Sequence, residues 1–464
     1  MTHVARAKAG IDHVRFQSAL RIERKRYAAN RPRSAHLHSE ARDVLMGGVP
    51  MTWMMKWPGG FPVAFERAVG SRLVDVDGNE YLDFCLGDSA AIAGHGQVQV
   101  AAAISERYAR GATTMLPTQD GVWVATELRR RFARDVWQFT TTATDANRWV
   151  LRMARQVTGR PKILVFNGCY HGTVDEAVVA LDRSGQPRPR PGNVGAAIDP
   201  TTTTKVIEFN DAEALEKALA PGDVACVIAE PVMTNVGMVQ PMPGFHEVLR
   251  DLTRSFGAWL VLDETQTWAA GPGGCTQAMG LDPDVITLGK GMAGGIAIGT
   301  FGMRRELADA VLSAGVDLED GGSIGGTLAA NALSLAAARA TLGEVLTDTT
   351  FGRMVMQGDS YVAAMDKVFA ERALPWHMTN VGARAEYRYC PPFPRNGTES
   401  AAAADEELDE YLHLALLNRG VLQTPFHNMV LMGAPTADAD IDALVRALTD
   451  SIDALLPPRP SHAG

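Results

Sequence analysis

The chain has 464 residues, 46% of them hydrophobic and 21% charged, with 45 glycines and 25 prolines, the make-up of an ordinary globular protein of about three domain-sized units. A net charge of −9 and a pI near 5.7 argue against a surface built for nucleic acid, and no uncharged apolar run approaches the roughly 18–20 residues of a membrane helix. Five scattered cysteines, Cys85, Cys169, Cys226, Cys275 and Cys390, contain no CxxC pair and suit a reducing, cytoplasmic compartment rather than a disulfide scaffold.

Residues 1–44 carry ten Lys/Arg against four Asp/Glu. With no apolar h-region and no A-x-A pattern, the segment reads as a basic surface helix rather than a targeting signal, with Phe16, Leu20 and Ile22 lying over a neighbour. Pro/Gly clusters at 47–50, 58–62, 187–192 and 271–274 punctuate the chain. The runs 71–76 and 80–84 flank Asp77-Gly78, which supplies the positive φ values of a hairpin turn.

From about 95 to 345, short apolar runs alternate with amphipathic helical stretches. The strand candidates are Lys162–Phe166, Val224–Ala229, Trp259–Asp263, Val285–Leu288 and 297–302. Their near-continuous hydrophobicity predicts strands buried on both faces, hence an α/β domain with a mostly parallel central sheet. The tail predicts helices over 404–418 and 438–456 and strands near 383–389 and 429–432: a smaller α+β domain sharing its layer with the hairpin. The expected organisation is an amino-terminal arm and part of the small domain over 1–95, a large domain over 96–345, and a carboxyl-terminal small domain over 346–464. The Pro-rich end, 457–464, is expected to fray.

In parallel sheets ligands gather beyond the carboxyl ends of the strands. One strand candidate ends in Asp263-Glu264 and another runs into Gly289-Lys290-Gly291, 27 residues on from Asp263, far enough for a crossover to a nearby strand. A lysine taken out of water is a usable nucleophile or base. With a carboxylate opposite, it suits a Schiff base to pyridoxal phosphate, whose ring nitrogen needs an acid partner. Phosphate needs hydroxyls and backbone donors at a helix start. The strand-to-helix turn 139–147 supplies Thr142 and Thr144, and Gly325-Gly326-Thr327 makes a second hydroxyl turn. Tyr170, just after a strand, is placed to stack on a ring. No P-loop is present, since Asp284 and Gly291 stand where it needs Gly and Ser/Thr; HExxH fails at Arg250, and no metal site is expected.

Together these segments resemble the class III (ω-type) pyridoxal-phosphate aminotransferases, in the branch with glutamate-1-semialdehyde aminomutase and β-amino-acid aminotransferases. The likeness runs from about 40 to 455, through Met46-Gly47-Gly48-Val49, Tyr81-Leu82-Asp83, Gly94-His95-Gly96, the turn at 139–147, Tyr170-His171-Gly172, Glu230-Pro231, Asp263-Glu264, Gly289-Lys290 and Gly326-Thr327. It implies a fold-type I enzyme (aspartate aminotransferase-like), a homodimer with active sites at the subunit interface. By that analogy Lys290 forms the Schiff base and Asp263 pairs with the pyridine nitrogen. Thr142, Ala143 and Thr144 hold the phosphate, Thr327 reaches it from the partner subunit, and Tyr170 stacks on the ring.

The chain also departs from the family pattern. Ala143 replaces the usual glycine of the phosphate turn. Thr265 replaces an apolar residue against the ring, with Gln266 beside it in reach of the cofactor. The loop 50–57, with Trp53 and Trp57, offers Lys56 as its cation where relatives place an arginine. The expected activity is transfer of an amino group from an amino acid or amine to a keto acid. A lyase acting on an amino phosphate, phosphonate or hydroxy amine, or an aminomutase or racemase, is the alternative on the same scaffold. Arg384 and Arg388 alternate with Glu386, which reads first as a solvated strand face and second as a clamp for a substrate anion.

Overall fold

The apolar runs lie side by side in one seven-stranded sheet. The computed structural model describes residues 6, 9–190, 199, 202–314, 325–390, 393–425 and 427–457. The sheet order is Val136–Thr140, Gly299–Met303, Val285–Leu288, Trp259–Asp263, Val224–Ala229, Lys162–Phe166 and Thr204–Ile207. Every residue of Val224–Ala229 and Trp259–Asp263 is buried, and each Val, Ile or Leu so covered stabilises by about 1.5–3 kcal/mol. Polar residues interrupt the edge strands Val136–Thr140 and Thr204–Ile207, so the hydrophobic pattern misses them. Gly299–Met303 runs antiparallel to both neighbours. Only residues 289–298 separate it from Val285–Leu288, too few for the crossover of a dozen or more that a parallel return requires. The other neighbours pair in parallel.

Both chain ends meet away from this sheet. Arg72–Asp75 and Glu80–Asp83 form the antiparallel hairpin, and Val421–Leu422 adds to it in parallel, Val421 opposite Leu82. The helix His13–Asn30 buries Phe16, Leu20 and Tyr27, with the Phe16 ring 6.0 Å from that of Tyr411; its neighbour is thus the chain's own helix Glu406–Leu417. Ile22 turns outward and is exposed. Buried Arg31 ties the junction together, donating from Nε to the Tyr81 hydroxyl (2.9 Å) and from Nη2 to the Leu417 carbonyl (3.0 Å). None of the five cysteines forms a disulfide, and among the described residues no helix is long and apolar enough to cross a membrane. The tail beyond residue 457 and the end of the 187–192 cluster lie outside the described residues.

A second small sheet places Arg384–Arg388 between His377–Val381 and Met429–Leu431. The solvated-face reading of this strand is corrected here. It is the central strand, packed against the helix Asp348–Glu371, and Arg384 and Glu386 are 0% and 1% exposed. Alternation of charges signals a wet face only when one face of the sheet meets water. Burial, partly offset by Arg388 and Arg384, pushes the Glu386 carboxyl up to about 7. Its folded value lies above the unfolded one, so this group costs stability as pH rises from about 4.5 through 7. Glu386→Gln is therefore expected to stabilise the protein by roughly 2–3 kcal/mol at pH 8 and by little at pH 5, read by denaturant unfolding at both pH values.

Candidate active site

A parallel sheet collects at one edge whatever follows its strands, and register decides which residues become neighbours there. Asp263 ends its strand opposite Thr287 of the adjacent one, so Lys290, shortly beyond Thr287, emerges beside it. Both side chains line a cavity of about 280 Å³, together with Thr142, Ala143, Thr144, Tyr170, Gly172, Glu230, Thr265 and Gln266. Of the residues that the resemblance assigns to the cofactor, Thr327 lies outside this cavity, exposed on its own chain. Trp53 and Trp57 do not line it either, and Trp57 packs against the core.

Asp263 is 3% exposed. Its Oδ2 accepts from Asn147 Nδ2 (2.9 Å) and His171 Nδ1 (3.0 Å), and its Oδ1 from the Thr265 amide (3.0 Å). Burial opposes its charge, but His171 and these donors outweigh it and hold the carboxyl below the usual range. Burial likewise opposes charge on His171, which Cys169 and Asp263 nonetheless raise to about 10. The result is a buried ion pair that leaves an ionised carboxylate on the cavity wall. Glu230 is buried nearby, its carboxyl lifted by burial and partly restored by His171.

The turn at 142–144 opens the helix Ala143–Thr158, with the Thr142 hydroxyl accepting from the Asp145 amide (3.2 Å). Ala143 is helical and has no left-handed φ, so alanine is accommodated without strain where relatives use glycine. Three glycines let this turn pack closely. A Cβ on Gly299 would come within 2.3 Å of the Thr142 carbonyl, on Gly289 within 2.8 Å of the Ala143 Cβ, and on Gly172 within 2.1 Å of the Thr144 hydroxyl oxygen. Hydroxyls and a helix start beside a cavity suit an anion such as phosphate, and Tyr170 lines the same space.

Lys290 follows extended Gly289 with φ +53° and opens the short helix Lys290–Ala293. Its Nζ donates to Asp88 Oδ2 at 2.5 Å. Gln266 Nε2 donates to the same oxygen (2.9 Å), while Gln266 Oε1 accepts from Arg384 Nη1 (2.6 Å) and the Ser89 hydroxyl (2.8 Å). Sequence reasoning missed Asp88 altogether. Its one local mark is the preceding Gly87, and its approach to Lys290 depends on how the amino-terminal segment folds over the sheet. Asn147 and His171 lay inside motifs already singled out, without the pairing to Asp263 that the structure gives them.

A buried ionised carboxylate, a lysine in the same cavity and a glycine-cradled turn at a helix start fit the nitrogen, aldehyde and phosphate of pyridoxal phosphate. Comparison with known proteins points the same way. The model of the family "Aminotransferase class-III" matches residues 54–451. The chain is 32% identical over 436 residues to a glutamate-1-semialdehyde 2,1-aminomutase of Chloroflexus aggregans, covering 90% of this chain and 97% of that one. Among solved structures, a glutamate-1-semialdehyde-aminomutase from Pseudomonas aeruginosa PAO1 superposes with a TM-score of 0.93 at 46% identity, covering 96% and 100% of the two chains. A β-phenylalanine aminotransferase from Variovorax paradoxus gives 0.85 at 27% identity, covering 94% and 97%. The chain belongs to the class III aminotransferases, fold-type I enzymes dependent on pyridoxal phosphate.

Proposed function

We propose that this chain is a transaminase that moves the amino group of an amino acid or amine to a keto acid, using pyridoxal phosphate attached at Lys290 Nζ. The observation that carries this reading is the shared cavity of Lys290 and the ionised, buried Asp263. When bound, the cofactor supplies an electron sink for charge that develops on the substrate carbon. Asp263, fixed by His171 and Asn147, keeps a proton on the ring nitrogen. Thr142, Ala143 and Thr144 would hold the phosphate and Tyr170, Thr265 and Gln266 the ring, all of them lining the same cavity. Lys290 Nζ, as a free amine, would take the proton from the substrate carbon as general base. Thr327, exposed on its own chain, is assigned to the phosphate site of a second copy in a homodimer. A cytoplasmic location accords with five cysteines that form no disulfide.

The 46% identity to a protein named as an aminomutase favours one second reading, in which the amino group returns to another carbon of the same molecule. Incubation of purified holoenzyme with a panel of amines, with and without pyruvate or 2-oxoglutarate, separates the cases. Stoichiometric amination of the keto acid is expected. A product isomeric with its substrate, formed with no acceptor, selects the aminomutase. Free ammonia released without any acceptor defeats both readings in favour of a lyase.

A further inference from the structure

We propose that Asp88 is a further catalytic residue of this site, whose carboxylate receives the Lys290 amine each time that amine is not joined to the cofactor. The inference rests on Lys290 being the attachment point proposed above. Asp88 stands at the end of the hairpin segment, about 200 positions from Lys290, yet its Oδ2 lies 2.5 Å from Lys290 Nζ. Its other oxygen, Oδ1, is buried without a hydrogen bond among the described residues and lies 3.7 Å from Arg384 Nη1. Burial opposes its charge, and Lys290, then Arg384 and His427, keep it ionised.

The backbone that presents Asp88 is unusual. Leu86, Gly87, Asp88 and Ser89 have φ values of 44°, 57°, 52° and 76°, four consecutive left-handed residues of which only one is glycine. Such a turn is disfavoured for L-residues and persists where surrounding structure enforces it, which happens chiefly at functional sites. Here the turn is closed by the Asp88 amide on the Cys85 carbonyl (2.9 Å), the Ala91 amide on the Leu86 carbonyl (2.9 Å) and Asp83 Oδ1, which accepts from the Cys85 and Leu86 amides, while Ser89 and Asp88 tie it to Gln266. Holding the turn alone would not call for a charge, since an amide could accept from Gln266 equally well. The carboxylate faces cations.

The reaction supplies a reason for that arrangement. An incoming substrate nitrogen bonds the aldehyde-derived carbon, the bond from that carbon to Nζ breaks, and one proton passes from the incoming nitrogen to Nζ. No oxidant or reductant is needed. The freed lysine has four rotatable side-chain bonds and must remain within reach of the substrate carbon to act as base. A charge-assisted bond to a fixed carboxylate gives it one resting place instead of many, which is the orientation advantage that pre-positioned groups confer.

Asp88→Asn is the discriminating variant, because asparagine tolerates left-handed backbone and keeps the shape. In cofactor-free protein, acetylation of Lys290 by acetic anhydride, quantified by peptide mass spectrometry against exposed Lys25, is expected to be about tenfold faster in the variant. In the holoenzyme, displacement of Lys290 by methoxyamine, followed by visible absorbance, is expected to slow about tenfold or more, with partial rescue by Asp88→Glu. Unchanged labelling together with unchanged displacement overturns the proposal. Should the variant not fold, the wild-type crystal structure with an amine-bound cofactor decides: Nζ must lie within hydrogen-bond reach of Asp88, and a lysine directed elsewhere overturns it. Retention of borohydride-fixed cofactor in Lys290→Ala would instead overturn the attachment reading, separately from any result on Asp88.

Discussion

Lys290→Ala is expected to give folded protein whose activity is lower by about four orders of magnitude or more, the sum of a lost nucleophile and a lost base. The Lys290 side chain is 24% exposed and lines the cavity, so its truncation enlarges an existing space rather than opening a void in the core, and the fold should persist. Residue 290 has φ +53°, which alanine adopts no less readily than lysine, so the substitution adds no strain to the backbone of the short helix it opens. Borohydride reduction of the loaded wild type should fix the cofactor mass to the peptide containing Lys290, and the variant should yield no such peptide. Cofactor found on another lysine, or a rate loss below tenfold, would sink the assignment.

Asp263→Asn is expected to lower the rate about a thousandfold, the order found when a preorganised charge partner of a transition state is removed. It should also destabilise the cofactor-free protein, by about 3–5 kcal/mol if His171 stays charged, because breaking one side of a buried pair strands the other. The pH dependence has a definite sign. His171, raised to about 10 from the ordinary imidazole value near 6.5, contributes stability that is complete below about 6.5 and fades as pH climbs through 10. Asp263, held low, contributes above the ordinary carboxylate range and loses its contribution as acid protonates it. The gap between wild type and variant should therefore be widest near pH 5–6 and narrow by pH 10, as measured by denaturant unfolding of the apoproteins. A gap that widens with rising pH would show that the two side chains do not form an ion pair.

The strands Lys162–Phe166, Val224–Ala229, Trp259–Asp263 and Val285–Leu288 were legible to the residue, because both faces of each are buried and the apolar run is unbroken. The antiparallel return Gly299–Met303 was legible as a strand, at slightly different bounds, but not in direction, which depends on the short connection before it. Lys290 and Asp263 stand out in sequence because each follows a strand at the sheet edge where ligands collect. Asp88 and the burial of Arg384 were not legible. Both depend on how the small-domain segments settle over the large sheet, and no local periodicity encodes that contact. Whether alanine fits in place of glycine at position 143 depends on the backbone φ there, which is helical in the structure and not readable from residue type.

The parallel pairing of Val421–Leu422 with Glu80–Asp83 has a consequence for biosynthesis. The two partners are separated by roughly 340 residues, and at a translation speed of about 5–20 residues per second the later one leaves the ribosome roughly 20–70 s after the earlier. Throughout that interval the nascent hairpin has an open edge able to recruit other chains. The growing polypeptide is thus exposed to misassembly before its closing strand arrives, a hazard separate from the stability of the finished chain.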